Sequence, residues 1–180
     1  MKHALPLVFT VIVAASLFAQ QQKNDPAVEQ GLRQLVANVD AERKQIMQLL
    51  ADYEKAFRAR DINVIMEMYS PDVVAYDIAP PLEYKGRDAY RKSWENFFAA
   101  YEGPIDMEIR ELQTRWSGGV AMTNNLERFT GTLKSGQRSE IWVRVTDFYE
   151  KKEGKWRIIH EHVSVPTDFS TGKAAIDLKP

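Results

Sequence analysis

Residues 104–110 read PIDMEIR, and within them Ile105, Met107 and Ile109 alternate with Asp106, Glu108 and Arg110. A period of two sends one set of side chains to each face of a strand. Strand-like runs follow at 119–131, 138–150 and 156–164, parted by Ser117-Gly118-Gly119, Lys134-Ser135-Gly136 and the charged turn from Lys151 to Lys155. From Pro104 onward the chain therefore reads as an antiparallel meander.

Upstream of Pro104 the period is helical. Asp25-Pro26 is a helix start, and Val28, Leu32, Leu35 and Val39 recur at helical spacing, as do Ile46, Leu50, Tyr53 and Phe57. Either one helix runs from Pro26 to Ala59 or Asn38 and Asp40 divide it; the reading favours the division, because Asp40 can cap a second helical segment. Asp61 caps a short further helix carrying Ile62, Ile65, Met66 and Tyr69, which Pro71 stops. A strand at 73–77 and the Pro80-Pro81 break lead to a third helix whose face holds Tyr90, Trp94, Phe97, Phe98 and Tyr101. Helices grouped before an antiparallel sheet predict an α+β fold, in which a curved sheet wrapped around three helices leaves a pocket between them.

Composition narrows the function. The chain has 180 residues, with 24 Lys and Arg against 25 Asp and Glu, and it holds no long basic stretch. Nucleic acid is therefore not an expected partner. The absence of cysteine excludes disulfides, a catalytic thiol and thiolate metal ligands. Residues 1–19, with Lys2 ahead of an apolar run from Leu5 to Phe18 and Ala19 before Gln20, read as an export signal, with a retained anchor as the alternative. The expected division is 1–19 signal, 20–41 helical extension, 42–166 main domain and 167–180 surface tail, giving a soluble periplasmic or secreted protein with no integral membrane segment once the signal is removed.

No nucleophile elbow, dinucleotide or Walker loop, zincin motif or EF-hand occurs. His160 and His162 share one strand face and Glu161 takes the other, a spacing read as structural histidines before a metal site. Tyr53 lies in the apolar stripe of the first helix, and Asp77 follows same-face neighbours Val73 and Ala75. Turned inward, a desolvated carboxylate and a nearby phenol are suited to moving a proton beside a carbonyl. Periodicity alone favours the plainer alternative, a core aromatic and a turn-capping aspartate.

Three stretches carry a family resemblance: ADYEKAFRARDINVIMEMYSPDVVAYD at 51–77, YKGRDAYRKSWENFF at 84–98 and VRVTDFYEKKEGKWRIIHEHVSVP at 143–166. Over residues 42–166 the chain resembles the SnoaL-like and ketosteroid-isomerase-like members of the nuclear transport factor 2-like superfamily. The resemblance implies a cone-shaped curved antiparallel sheet around three N-terminal helices, usually dimeric, with a pocket at the open end. Tyr53 then resembles the isomerase's oxyanion tyrosine, Asp77 its general base and Trp94 its pocket aromatic. The isomerase's protonated aspartate falls on Thr146, or on Asp147 if the hairpin register slips by one.

Strand parity puts Arg144, Thr146 and Phe148 on one face, read as pocket-facing, with Ile159, Glu161 and Val163 facing the cavity from the next strand. Arg144 and Glu161 then form a buried pair or an anchor for a carboxylate ligand. Trp142 and Trp156 line the pocket if inward and offer a subunit contact if outward. The expected function is binding of a small, largely apolar carbonyl compound, steroid-like or polyketide-like, by a homodimer with catalytic residues Asp77 and Tyr53 and no cofactor or metal. The alternatives are a non-catalytic binding or assembly module, and an envelope scaffold using the long first helix.

Overall fold

The computed structural model describes residues 25–180, so the export segment expected at 1–19 lies outside the described residues. The chain forms two units, one ending at Ile46 and the other running from Met47 to Pro180. Helix α1, Pro26–Ala59, passes through the boundary as a single element of 34 residues. Its first turn is capped by Asp25, whose Oδ1 accepts from the Ala27 amide at 2.8 Å. The expected division at Asn38 and Asp40 is corrected: both lie inside the helix. Asn38 Oδ1 accepts from Gln34 Nε2 at 2.9 Å, so its side chain serves a pair one turn back and does not compete for the backbone. Within the first unit Val28, Leu32, Leu35 and Val36 are 44–59% exposed.

In the second unit the last turns of α1 bury Leu50, Ala56 and Phe57. Phe57 is wholly enclosed, its ring 5.3 to 6.2 Å from those of Trp94, Phe97, Phe98 and Phe129. Arg60 adopts φ 53°, turning the chain into helix α2, Ile62–Glu67, where Asp61 accepts from the Val64 amide at 3.1 Å. Strand β1, Tyr69–Tyr76, begins earlier than expected, taking Tyr69 out of the helical stripe and into the sheet. Strand β2, Tyr84–Lys85, and helix α3, Arg87–Ala100, come next, and the meander is β3, Tyr101–Ser117; β4, Val120–Leu133; β5, Arg138–Lys152; and β6, Lys155–Ser164.

These six strands form one curved, unclosed sheet in the order β2-β1-β6-β5-β4-β3. It is mixed: β1 and β6 run parallel, correcting the all-antiparallel expectation. Tight turns oblige successive meander strands to run antiparallel, but no hairpin constrains two strands joined through a helix and four further strands. Irregularities in register fall at Glu102/Ile105, Arg110/Gln113 and Phe148/Tyr149. Gly131 sits under the Tyr101 ring, where an added Cβ would stand 2.7 Å from Tyr101 Cδ1. Beyond the sheet, β7, Thr167–Asp168, and β8, Lys173–Ala174, make a short exposed ribbon in the tail.

Candidate functional site

A cavity of about 320 Å³ lies within the second unit, between the end of α1, helix α3 and the inner faces of β4, β5 and β6. Tyr53, Tyr90, Trp94 and Phe129 form much of its wall, and Val143, Val145 and Ile158 line the sheet side. The strand alternation that buries Phe129 and Val145 also turns polar side chains inward. Thr123, Asn125 and Glu127 of β4, Asp147 of β5 and Glu161 of β6 are each less than one-tenth exposed.

Each buried acid has partners. Glu161 accepts from Tyr69 at 2.6 Å through Oε2 and from Tyr90 through Oε1. Asp147 Oδ2 accepts from Tyr149 at 3.1 Å and Thr123 at 3.2 Å, and Glu127 Oε1 accepts from Asn125 at 2.9 Å. Asp147 and Glu161 stand directly opposite each other across β5 and β6. Among the described residues no hydroxyl, amide or cationic group donates to Asp147 Oδ1, and none accepts from the buried Trp94 Nε1.

Burial dominates the proton affinities. It lifts the Glu127 carboxyl to about 7 against the opposing Asn125 bond, with Glu161 nearby adding to the rise. Burial also raises Asp147, helped by Glu127, and Glu161, helped by Asp147; the hydroxyl donors oppose both rises. A proton held by Glu161 and directed at Asp147 relieves the cross-strand pair, since two facing carboxylates do not both ionise readily. The phenols of Tyr53, Tyr69, Tyr90 and Tyr149 are all pushed up by burial, with the acids adding to the effect.

Tyr53, Asp77 and Trp94, read from the sequence as site residues, all line this cavity, as does Glu161. The Tyr53 ring meets Trp94 edge-on at 6.0 Å. Asp77 is half-buried just past β1; its Oδ2 accepts from Ser93 Oγ at 2.6 Å and its Oδ1 from the Ile78 amide at 2.7 Å. It is thus both a cavity residue and a turn cap.

The β5 parity is corrected by one residue. Val143, Val145, Asp147 and Tyr149 face inward, while Arg144, Thr146 and Phe148 face out. Thr146 pairs with His162, and the 42%-exposed Phe148 has its ring 5.9 Å from His160. Arg144 is exposed, so it neither pairs with Glu161 inside nor anchors a ligand there. Ile159 is the extra residue of a bulge: Trp156 and Ile158 are buried before it, Glu161 after it, and Val163 reaches the cavity while Ile159 does not.

His160 and His162 lie on the outer face with Tyr76 between them, at 4.9 and 5.8 Å. Among the described residues no group of His, Asp and Glu is placed to hold a metal ion. Trp142 also faces out, its ring approached by Arg110 at 5.0 Å and Arg128 at 5.7 Å, and Trp156 is buried outside the cavity lining.

The sequence reading missed Glu127, Thr123 and Asn125, although the signal was present. Ala121, Phe129 and Gly131 share their parity and had to face inward, which carries the three polar residues with them. Tyr69 and Tyr90 were read only as packing, because nothing local shows where a phenol's hydroxyl ends.

Residues 46–168 match the SnoaL-like domain family. An NTF2-like protein of unknown function from Pseudomonas putida is similar at 35% identity, with a TM-score of 0.72 over 78% of this chain and 98% of that one. A ketosteroid isomerase-like protein from Erwinia carotovora atroseptica is 21% identical, with a TM-score of 0.58 over 67% and 93% of the two chains. A candidate scytalone dehydratase from Novosphingobium aromaticivorans is 15% identical, with a TM-score of 0.63 over 72% and 87%. At those last two identities the likeness is one of fold. No curated protein matches the chain.

Proposed function

From the premise that the chain belongs to the SnoaL-like family, we propose that it binds a small, largely apolar carbonyl compound in the cavity and moves a proton on it. The observation that carries this reading is the placement of Tyr53, Asp77 and the buried Asp147–Glu161 pair on one apolar-walled cavity. In the proposed step the Asp77 carboxylate takes a proton from the carbon next to the carbonyl. The released electron pair forms an enolate, and the Tyr53 hydroxyl donates a hydrogen bond to its oxygen. Return of the proton from Asp77 to a different carbon completes an isomerisation. No metal or redox group enters this proton balance.

Replacement Asp77→Asn keeps the shape of the side chain but removes the base. With a panel of enones and polyketide-type carbonyls, the variant is expected to lose turnover by about a hundredfold or more while ligand affinity changes little. Unchanged turnover would remove Asp77 from the mechanism. A non-catalytic binding module is the second reading, and the Ser93 and Ile78 bonds to Asp77 favour it, because they describe a turn cap. Binding by the same panel without product supports that module.

Export and self-association complete the proposal. The apolar segment before Gln20 supports export, and among the described residues no helix is long and apolar enough to cross a membrane. The outward Trp142, Phe148 and Leu126 of β4 and β5 support a homodimer joined through the outer sheet face.

A further inference from the structure

The charged residues lining the cavity are all of one sign. Asp77, Glu127, Asp147 and Glu161 reach it, and among the described residues no lysine, arginine or histidine does. The surroundings do not offset this: the groups acting on the three buried acids are one another, Glu54 of α1, Asp77, and neutral hydroxyl or amide donors from Tyr69, Tyr90, Thr123, Tyr149 and Asn125. Buried carboxyls without a cation stay in place only by taking up protons. Asp147 Oδ1, in a side chain 5% exposed that lines the cavity, accepts from no hydroxyl, amide or cationic group among the described residues, and the facing Glu161 carboxyl is the remaining group acting on Asp147. Tyr53, Tyr90, Trp94 and Phe97 contribute aromatic surface to the same cavity, and aromatic faces attract a cation.

The geometry points to a ligand that carries one cationic nitrogen on an otherwise apolar skeleton, its ammonium group seated among Glu127, Asp147 and Glu161. This rests on the pocket reading above and names the class of compound the pocket takes. The ammonium supplies the missing positive charge, and the apolar remainder occupies the aromatic wall. Binding then displaces protons from the acids, so affinity for a permanent cation rises as pH rises through the range where Glu127 titrates, about 7.

The test compares benzyltrimethylammonium with neopentylbenzene, its uncharged carbon isostere, by quenching of intrinsic tryptophan fluorescence in the whole protein. At pH 8.5 the cation is expected to bind about tenfold or more tighter than the isostere, with the gap shrinking several-fold at pH 5.5. Glu127→Gln and Asp147→Asn, each close in shape to the original, are expected to narrow the gap at pH 8.5 without weakening the neutral compound. Equal affinities, or preference for neopentylbenzene at pH 8.5, overturn the inference and leave the pocket reading standing. If neither compound nor any carbonyl in the panel binds, both readings fall.

Discussion

At the scale of the residue, Glu127 is the clearest case of chemistry set by position. Its carboxyl is held at about 7 against an ordinary 4.5, so between those values the folded protein keeps a proton that the unfolded chain has released. Stability is therefore fully present below pH 4.5 and declines as pH climbs through about 7, by up to about 3 kcal/mol for this group. Melting temperature measured across pH 4.5 to 8 is expected to fall, and Glu127→Gln, which keeps the Asn125 bond, is expected to flatten that fall and melt higher at pH 8. Parallel curves for the two proteins would show that Glu127 does not carry the effect. Tyr53, Asp77, Trp94 and Glu161 were legible as cavity residues from spacing and resemblance. Arg144, Thr146 and Phe148 were misplaced, because strand parity tells which residues share a face of β5 and not which face turns inward. The alternation of Val143, Val145 and Tyr149 marked the opposite face as buried, and Asp147 belongs to it.

At the scale of the element, β4, β5 and β6 followed from period-two alternation and its turns to within two residues. Three boundaries escaped, one of them at Tyr101, which was expected on the face of the third helix and instead opens β3. Tyr69 satisfied a helical spacing and yet opens β1, where its phenol donates to Glu161. Nor could Asn38 and Asp40 end a helix already held together on both sides of them. Close packing also explains a residue with no obvious local role. Gly131→Ala would press a methyl against the buried Tyr101 ring, at an expected cost of about 1–3 kcal/mol. Urea unfolding measures this directly; an unchanged midpoint would mean that Tyr101 moves aside freely. No positive φ is involved at Gly131, so the effect is one of space alone.

At the scale of the whole molecule, the grouping of helices before strands announced an α+β domain, and the stretches at 51–77, 84–98 and 143–166 announced its family. The pairing of β1 with β6 was hidden, since a parallel partner far along the chain leaves no turn to read. The second unit holds every residue lining the cavity. A chain lacking residues 20–39 is accordingly expected to melt cooperatively and to bind cavity ligands with affinity within about threefold of the full chain. Loss of cooperative melting would show that the first unit is needed for the second to fold.

The β1–β6 ladder also dictates a schedule. Glu161, the acceptor for both Tyr69 and Tyr90, arrives on the last meander strand, while those tyrosines come from much earlier in the chain. During synthesis the nascent polypeptide must hold a half-built hollow, its phenols unanswered, until Ser164 has left the ribosome. Messages cut short before that codon would yield products with an open sheet edge and a greasy interior, natural prey for chaperones and proteases.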